Sequence, residues 1–171
     1  AIGVAEQVHN AFVTILAVVL IGTRQQVLAL LMHEQVHRLS FRSTFGDYLC
    51  NLTVSFPLLV NVEAFRPIHL AHHGQFFTEH DPDYMRKQGR EWTFPKQPFE
   101  LLTNFLADLS GFNIWKTVQS KKSNRSRGRS ANPRRWIRLG YYAGLASLLT
   151  WGQWGGIALL YWILPLCTLM P

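Results

Sequence analysis

Two clusters of histidines constrain the fold of this chain more than any other feature of its sequence. The first cluster is His33-Glu-Gln-Val-His37, and the second is His69-Leu-Ala-His72-His73. Residues three and four apart lie on one face of an α-helix, so each cluster predicts a helix face that carries imidazoles. Imidazole binds iron, copper, nickel and zinc. The two faces therefore predict a metal site, and one shared centre requires the chain between the clusters to bring them to the same place.

Long apolar segments predict that lipid covers much of this chain. Residues 11–22 read AFVTILAVVLIG and residues 27–32 read VLALLM, and a helical membrane span needs about 20 mainly apolar residues. The charged fraction of 16% is low beside the roughly 25% of a typical soluble domain. We therefore predict an all-α membrane protein with transmembrane helices and interfacial amphipathic helices. A soluble helical bundle with buried histidines is the alternative.

Polar side chains interrupt the first apolar segment at Arg24 and Gln25. At that depth in a membrane, polar groups usually face the protein interior or a cavity. These two residues are therefore candidates for lining a substrate cavity, and hydrogen bonding between helices explains them equally well.

We expect the remaining segments to form a single membrane domain over residues 1–171. If both histidine clusters bind one centre, they lie on the same side of the membrane, so the apolar segment between them cannot cross it once. That segment is also short and contains Pro57, which favours an interfacial or re-entrant course. The predicted segments are a helix over 8–38 that ends in the first cluster, an interfacial or re-entrant segment over 48–62, a helix over 66–80 with the second cluster, an amphipathic helix over 97–118, a basic loop over 119–135 and a transmembrane hairpin over 136–171.

The net charge of +7 is concentrated in residues 121–138, which hold eight basic residues and no acidic one. Cytoplasmic loops of membrane proteins carry an excess of Lys and Arg, and such a tract suits anionic headgroups. Nucleic-acid binding is the competing interpretation of a basic tract. Most of these charges are interleaved with Ser, Gly and Asn rather than with aromatic residues, and the tract adjoins apolar sequence. We therefore expect no nucleic-acid partner.

The order and spacing of the two clusters resemble those of the membrane fatty acid desaturase and hydroxylase superfamily, in particular its bacterial acyl-desaturase-like branch. Three further segments carry the same resemblance: Gly22-Thr-Arg-Gln25 before the first cluster, Ala64-Phe-Arg-Pro-Ile-His69 leading into the second, and Thr78-Glu-His-Asp-Pro-Asp83 after it. Together these motifs cover residues 20–85.

The resemblance implies a non-haem di-iron centre on the cytoplasmic face, which uses O₂ to remove hydrogen from an unactivated C–H bond. The iron ligands that it implies are His33, His37, His69, His72 and His73. Asp81 and Asp83 would orient ligand imidazoles, or else cap the next segment. His80 is either an extra ligand or an exposed turn residue.

Desaturation, hydroxylation and carotenoid-type oxygenation share these motifs, and a membrane site favours acyl chains as substrates. The resemblance implies a ferredoxin or a small cytochrome as electron donor, which the basic tract would attract if the donor is acidic. We expect an integral protein of the bacterial inner membrane with its metal site facing the cytoplasm. The sequence does not predict the oligomeric state.

Two alternatives remain open. Members of the superfamily carry a third histidine box, which we expect beyond Pro171, since this chain has no histidine after His80. Without that box, the chain would be a non-catalytic membrane subunit of desaturase ancestry. Residues 33–37 also match the H-E-x-x-H pattern of zinc proteases, with Glu34 as general base. Hydrolytic zinc needs about three protein ligands and a water, which leaves the second cluster in excess.

Overall fold

The computed structural model describes residues 1–86, 92–112 and 135–169, and over these ranges the chain forms helices and turns without a strand. The predicted all-α class is confirmed. The helices are α1 (Ile2–Val8), α2 (Ala11–Val36), α3 (Thr44–Cys50), α4 (Val62–Gly74), α5 (Pro82–Arg86), α6 (Pro98–Leu109), α7 (Arg135–Trp151), α8 (Gly155–Ala158) and α9 (Leu164–Thr168), with π-helical turns at Asn51–Ser55 and Leu159–Ile163.

The helices group into two compact units. The first unit comprises Ala1–Val27 with Leu106–Pro171, and the second comprises Leu28–Phe105. All five histidines of the two clusters belong to the second unit.

Helix α2 is the one described helix that is long and apolar enough to cross a membrane. Only 22% of its apolar window is buried, and large apolar side chains such as Phe12, Ile15 and Leu30 are exposed. A core helix of a soluble protein would bury most of that surface. This exposure agrees with a membrane-type helix that lipid surrounds.

The start of α2 differs from the predicted helix over residues 8–38. His9 adopts the left-handed conformation, with φ 48°, and the side chain of Asn10 accepts hydrogen bonds from the backbone N–H groups of Phe12 and Val13. Asn is a favoured helix N-cap because its side chain satisfies these otherwise unpaired donors. The chain therefore breaks between α1 and α2, and α2 begins at Ala11.

In the first unit, a turn at residues 152–154 joins α7 to the C-terminal helical segment, within the predicted hairpin of residues 136–171. The C-terminal segment packs on α2, where a Cβ added at Gly22 would come within 2.5 Å of Leu169. Glycine therefore allows this close approach. Whether the hairpin crosses a membrane stays a prediction, and the basic residues at 121–134 lie outside the described part of the chain.

In the second unit, the chain reverses direction between α3 and α4. The predicted interfacial or re-entrant segment over 48–62 forms the end of α3, the π-helical turn and a reversal at Leu59, which has φ 61°. Asn61 then caps α4 by accepting a hydrogen bond from the backbone N–H of Ala64. This cap starts α4 four residues before the predicted start at residue 66, so that Pro67 lies inside the helix.

Helix α4 ends at Gly74, whereas the sequence predicts a helix as far as residue 80. Residues 75–81 form a turn in which Phe77 has φ 58°. The predicted amphipathic helix over 97–118 corresponds to α6, and its residues 113–118 lie outside the described ranges. Along α6, Phe99, Leu102 and Phe105 are exposed. An apolar face of this kind suits the surface of a membrane.

Candidate metal centre

Helices α2 and α4 bring four of the five predicted ligands together. The last turn of α2 supplies His33, and His37 is the first residue after that helix. Helix α4 supplies His69 and His73, which are one turn apart. One ring nitrogen from each of the four histidines lies within 4.8 Å of the other three. Residues far apart in the chain thus form one cluster of nitrogen donors.

His69 is at the centre of this cluster. Its Nε2 lies 3.0 Å from Nε2 of His37 and 3.0 Å from Nε2 of His73. A ring nitrogen carries either one proton or one lone pair, so a single Nε2 cannot make two good hydrogen bonds to two other nitrogens. Nitrogens bound at right angles to one metal, each about 2.1 Å from it, are about 3.0 Å apart. The donor set and its spacing therefore fit a transition metal ion.

The surroundings of His37 and His69 favour the neutral form of both imidazoles. Burial, followed by repulsion from His33, His73, His37 and His72, lowers the pKa of His69 to about 4. Burial, followed by His33 and His73, also lowers the pKa of His37. Neutral imidazole is the form that binds metal, so these two ligands are ready to bind at neutral pH.

The ring of Phe65 supports His69 from one side. The two rings stack with their centroids 5.2 Å apart and their planes inclined by 23°. Phe65 also packs against the apolar core of the second unit, formed by Met32, Val36, Cys50 and Val62. The stacking therefore couples the orientation of the central imidazole to the core.

His72 is held by Asp81 and does not belong to the group of four. Its Nδ1 lies 2.8 Å from Oδ1 of Asp81, a buried carboxylate that also accepts hydrogen bonds from the backbone N–H groups of Phe77 and Asp83. Burial alone would raise the pKa of Asp81, but the hydrogen bonds from His72 and from the backbone of Phe77, Asp83 and Tyr84 outweigh it and lower the pKa to about 2. An ionised Asp81 fixes the proton of His72 on Nδ1 and leaves Nε2 as its metal donor.

The other predicted site residues do not belong to the group of four histidines. His80 is exposed in the turn after α4, and Asp83 contacts Asp81 through its backbone N–H. Arg24 is exposed, whereas Gln25 is buried and its Nε2 donates to the backbone carbonyl of Trp162 at 2.9 Å. For Gln25 this is the hydrogen bond between helices that the sequence left as an alternative.

The first unit also contains an apolar cavity of about 320 Å³. Neither Arg24 nor Gln25 lines this cavity. Its wall is formed by Thr14, Ile15, Val18, Val19, Leu109, Leu160, Leu164, Thr168 and Leu169.

Sequence reasoning missed a polar network beside the cluster, which is built from Gln35, Asp47 and Arg66. The available signal was a set of polar and charged residues close to the histidines in an apolar chain, and Arg66 three residues before His69. The partner of Arg66 could not be identified, because Asp47 is 19 residues away in the sequence.

An exposed apolar helix that leads into a cluster of histidine nitrogens is typical of helical, membrane-associated proteins that bind metal through histidines. The fatty acid desaturase family model matches residues 10–171. The chain therefore belongs to the fatty acid desaturase family. No curated protein and no solved structure matches it.

Membership supports an oxidoreductase of the desaturase or hydroxylase type. The family is membrane-associated, and its members typically hold a di-iron centre through histidines. The four-histidine cluster of this chain is compatible with metal binding of that kind.

Proposed function

We propose that this protein is a membrane-bound, non-haem di-iron oxidoreductase that uses O₂ to desaturate a fatty acyl chain. The observation that carries the proposal is the convergence of His33, His37, His69 and His73 on one point in a chain of the desaturase family. The contacts at His69 support a metal ion there, because three ring nitrogens converge where hydrogen bonding could satisfy only part of them.

In this proposal the four clustered histidines bind one iron ion, and His72 binds the second. The different surroundings of His72 support the division, since its Nδ1 is committed to Asp81. Its ring centroid also lies 6.3 Å from that of His69, farther than any of the measured ring distances within the group of four. When bound, the iron supplies the reduction of O₂ and the removal of hydrogen from an unactivated C–H bond. The residues of the chain hold the iron, keep the imidazoles neutral and orient His72.

An acyl substrate is favoured by the apolar character of helix α2. The first pair of histidines lies at the end of an exposed apolar helix, so lipid chains around α2 would reach the same depth as its last turns. The apolar cavity of about 320 Å³ in the first unit is also suited to hydrocarbon.

The cytoplasmic orientation in a bacterial inner membrane and the electron donor belong to the same proposal. A ferredoxin or a small cytochrome would supply electrons, and basic residues such as Arg135 and Arg138 at the start of α7 would attract an acidic donor. A zinc protease is less well supported, because four histidine nitrogens converge whereas hydrolytic zinc uses about three protein ligands.

The test is metal analysis joined to product analysis on the full chain. The protein is purified in detergent after growth with iron, and iron and zinc are counted per chain. It is then incubated with O₂, a ferredoxin and its reductase, and phospholipid or free acyl chains, and new double bonds or hydroxyl groups are detected by mass spectrometry. We expect bound iron and an unsaturated product.

The control variant is His9→Ala, which removes an exposed histidine of the first unit and should retain iron and activity. His73→Ala should lose both. A chain that binds zinc in place of iron, or that binds no metal at all, would refute the proposal. A hydroxylated product in place of an alkene would keep the iron centre and reassign the reaction.

A further inference from the structure

A buried ion pair joins α3 to α4 beside the histidine cluster. Nη2 of Arg66 lies 2.6 Å from Oδ1 of Asp47, and Nη1 lies 2.8 Å from Oδ2. The two side chains are only 15% and 3% exposed. A guanidinium that meets a carboxylate through two parallel hydrogen bonds is held in one orientation as well as attracted.

The same guanidinium also binds the end of α2. Nε of Arg66 donates to the backbone carbonyl of Val36 at 2.8 Å, and Nη2 donates to that of Gln35 at 2.9 Å. The last carbonyls of a helix have no partner within the helix, and α2 ends here because Arg38 adopts a left-handed φ of 58°. The carbonyl of Gln35 also accepts from the backbone N–H of Arg38 at 2.9 Å. Arg66 thus caps α2 from a neighbouring helix.

The side chain of Gln35 completes the network. Its Nε2 donates to Oδ1 of Asp47 at 2.7 Å and to the backbone carbonyl of Phe41 at 3.0 Å. Its Oε1 accepts from the backbone N–H of Phe41 at 3.0 Å. Gln35 is 1% exposed and lies between His33 and His37 in sequence. The network therefore holds both the backbone and the side chain of the segment that carries the first histidine pair.

The position of Arg66 on α4 connects this network to the second pair. His69 follows Arg66 by three residues and His73 by seven, so all three lie on one face of the helix. A shift of α4 along α2 would therefore displace Arg66 from the carbonyls of α2 together with His69 and His73.

We propose that Arg66, held by Asp47, is a positioning residue that fixes the spacing between the histidine pairs of α2 and α4 and thereby the affinity and coordination geometry of the metal centre. The proposal rests on the metal site of the proposed function. The proposal predicts that metal affinity depends on the planar, two-pronged shape of the guanidinium as well as on its charge. Lysine keeps the charge but cannot reach two carbonyls and two carboxylate oxygens in one plane.

The experiment compares Arg66→Lys with the wild-type full chain in detergent. Each is stripped of metal and titrated with Co²⁺ against a competing chelator, and the visible absorption of bound Co²⁺ reports its coordination. Thermal unfolding of the metal-free protein and its circular dichroism report the fold. We expect Arg66→Lys to remain helical, to bind Co²⁺ about 10–100-fold more weakly, as is typical when a residue that orients metal ligands is replaced, and to change the Co²⁺ spectrum.

Asn51→Ala is the matched control. Nδ2 of Asn51 donates to Oε2 of Glu63 at 2.7 Å, and its Oδ1 accepts from the backbone N–H of Val62 at 3.0 Å. These contacts join the π-helical turn that continues α3 to the start of α4, and neither hydrogen bond involves a residue of segment 33–37. Asn51→Ala should lower the unfolding temperature while leaving the affinity and spectrum of Co²⁺ unchanged.

If Arg66→Lys does not fold, Asp47→Asn replaces it as the test variant, since asparagine keeps one acceptor oxygen. The Asp47→Asn variant should also bind Co²⁺ more weakly than the wild type, but by a smaller factor than is expected for Arg66→Lys. If the folded variants bind Co²⁺ like the wild type and only their unfolding temperatures fall, the positioning role is wrong and the metal site stands. If the wild type itself binds no Co²⁺, the metal site is refuted and the positioning role with it.

Discussion

The two compact units of this chain are stabilised by different kinds of interaction. In the first unit, the buried cluster consists of Ala5, Ala17 and Tyr161 with apolar neighbours, and Gln25 is the one buried polar residue in its described part. The second unit buries many more polar side chains around the histidines. These are Gln35, Asp47, Asn51, Ser55, Asn61 and Asp81.

This difference in buried polar side chains follows from the accuracy with which each unit has to hold its side chains in place. Apolar packing tolerates changes of shape and loses uniqueness before it loses stability, which is acceptable for helices surrounded by lipid. Ligands of a metal must be held to within about 0.5 Å. Directional hydrogen bonds in a buried network fix one arrangement of this accuracy. We therefore expect substitutions in the second unit to have larger effects, and to act on the metal as well as on the fold.

The largest effect is expected for His69→Ala. Its Nε2 is the atom that lies 3.0 Å from both His37 and His73, so its removal opens the centre of the donor set. Metal affinity should fall by more than the roughly 10–100-fold seen when an orienting residue is lost. Co²⁺ titration measures it, with the exposed His80→Ala as control. Equal losses of metal affinity in the two variants would mean that His80 is also a ligand and that the metal site extends beyond the four clustered histidines.

Asp47→Ala should cause the largest loss of stability. Removing one partner of a fully buried ion pair costs about 3–5 kcal/mol. Arg66 is 15% exposed and keeps the carbonyls of Gln35 and Val36 as partners, so we expect a loss below that range. Thermal unfolding of the metal-free protein in detergent would show the loss. Glu79→Ala removes an exposed carboxylate of the same unit and should change stability by less than about 0.5 kcal/mol. Similar effects of the two substitutions would argue that the ion pair contributes little.

The contribution of Asp47 should also depend on pH. The hydrogen bonds from Arg66 lower the pKa of Asp47 most strongly, against burial, which would raise it, and Gln35 lowers it further. A carboxylate with a lowered folded-state pKa stabilises the fold above its unfolded-state pKa, about 3.8 here, and this stabilisation is lost as the pH falls below that value.

The measurement is the difference in unfolding temperature between the wild type and Asp47→Asn from pH 7 down to pH 3. The difference should be constant near neutral pH and shrink below pH 4. A difference that stays constant through the acid range would show that folding does not shift the pKa of Asp47, so that the ion pair does not favour its ionised form.

Asp81→Ala should affect the metal more than the fold. His72 would lose the acceptor that holds its Nδ1 proton, and metal affinity should fall by about 10–100-fold. Asp83→Ala leaves the backbone N–H that donates to Asp81 in place, and we expect a smaller change. If Asp83→Ala weakens metal binding as much as Asp81→Ala, both carboxylates orient ligands, as the resemblance to desaturases implied.

The sequence was sufficient to predict the helical class. The spacing of histidines within each motif also indicated a shared helix face, because that spacing is a local property, whereas the convergence of the two motifs depends on contacts between distant segments. The sequence did not predict the cap at Asn61 that starts α4 before Pro67, since an Asn followed by apolar residues is compatible with several boundaries. The contact between Arg66 and Asp47 could not be predicted either, because it depends on the reversal of the chain near Leu59. The features that the sequence pattern does not determine are mostly contacts between segments that are distant in the chain.

The smallest effect is expected for Gln25→Leu in the first unit. Its Nε2 hydrogen bond to Trp162 is worth about 0.6 kcal/mol if it resembles the average polar contact between membrane helices. Its Oε1 is buried without a hydrogen-bond partner among the described residues, and an unsatisfied buried acceptor is itself unfavourable. Leucine removes both the hydrogen bond and the unsatisfied acceptor, and the two effects oppose each other. The free energy of unfolding should therefore stay within about 1 kcal/mol of the wild type. Gln26→Leu, which removes an exposed hydrogen bond to the carbonyl of Leu169, is the matched control. A Gln25→Leu variant of unchanged stability whose acyl-chain selectivity is altered would instead show that Gln25 takes part in binding the substrate.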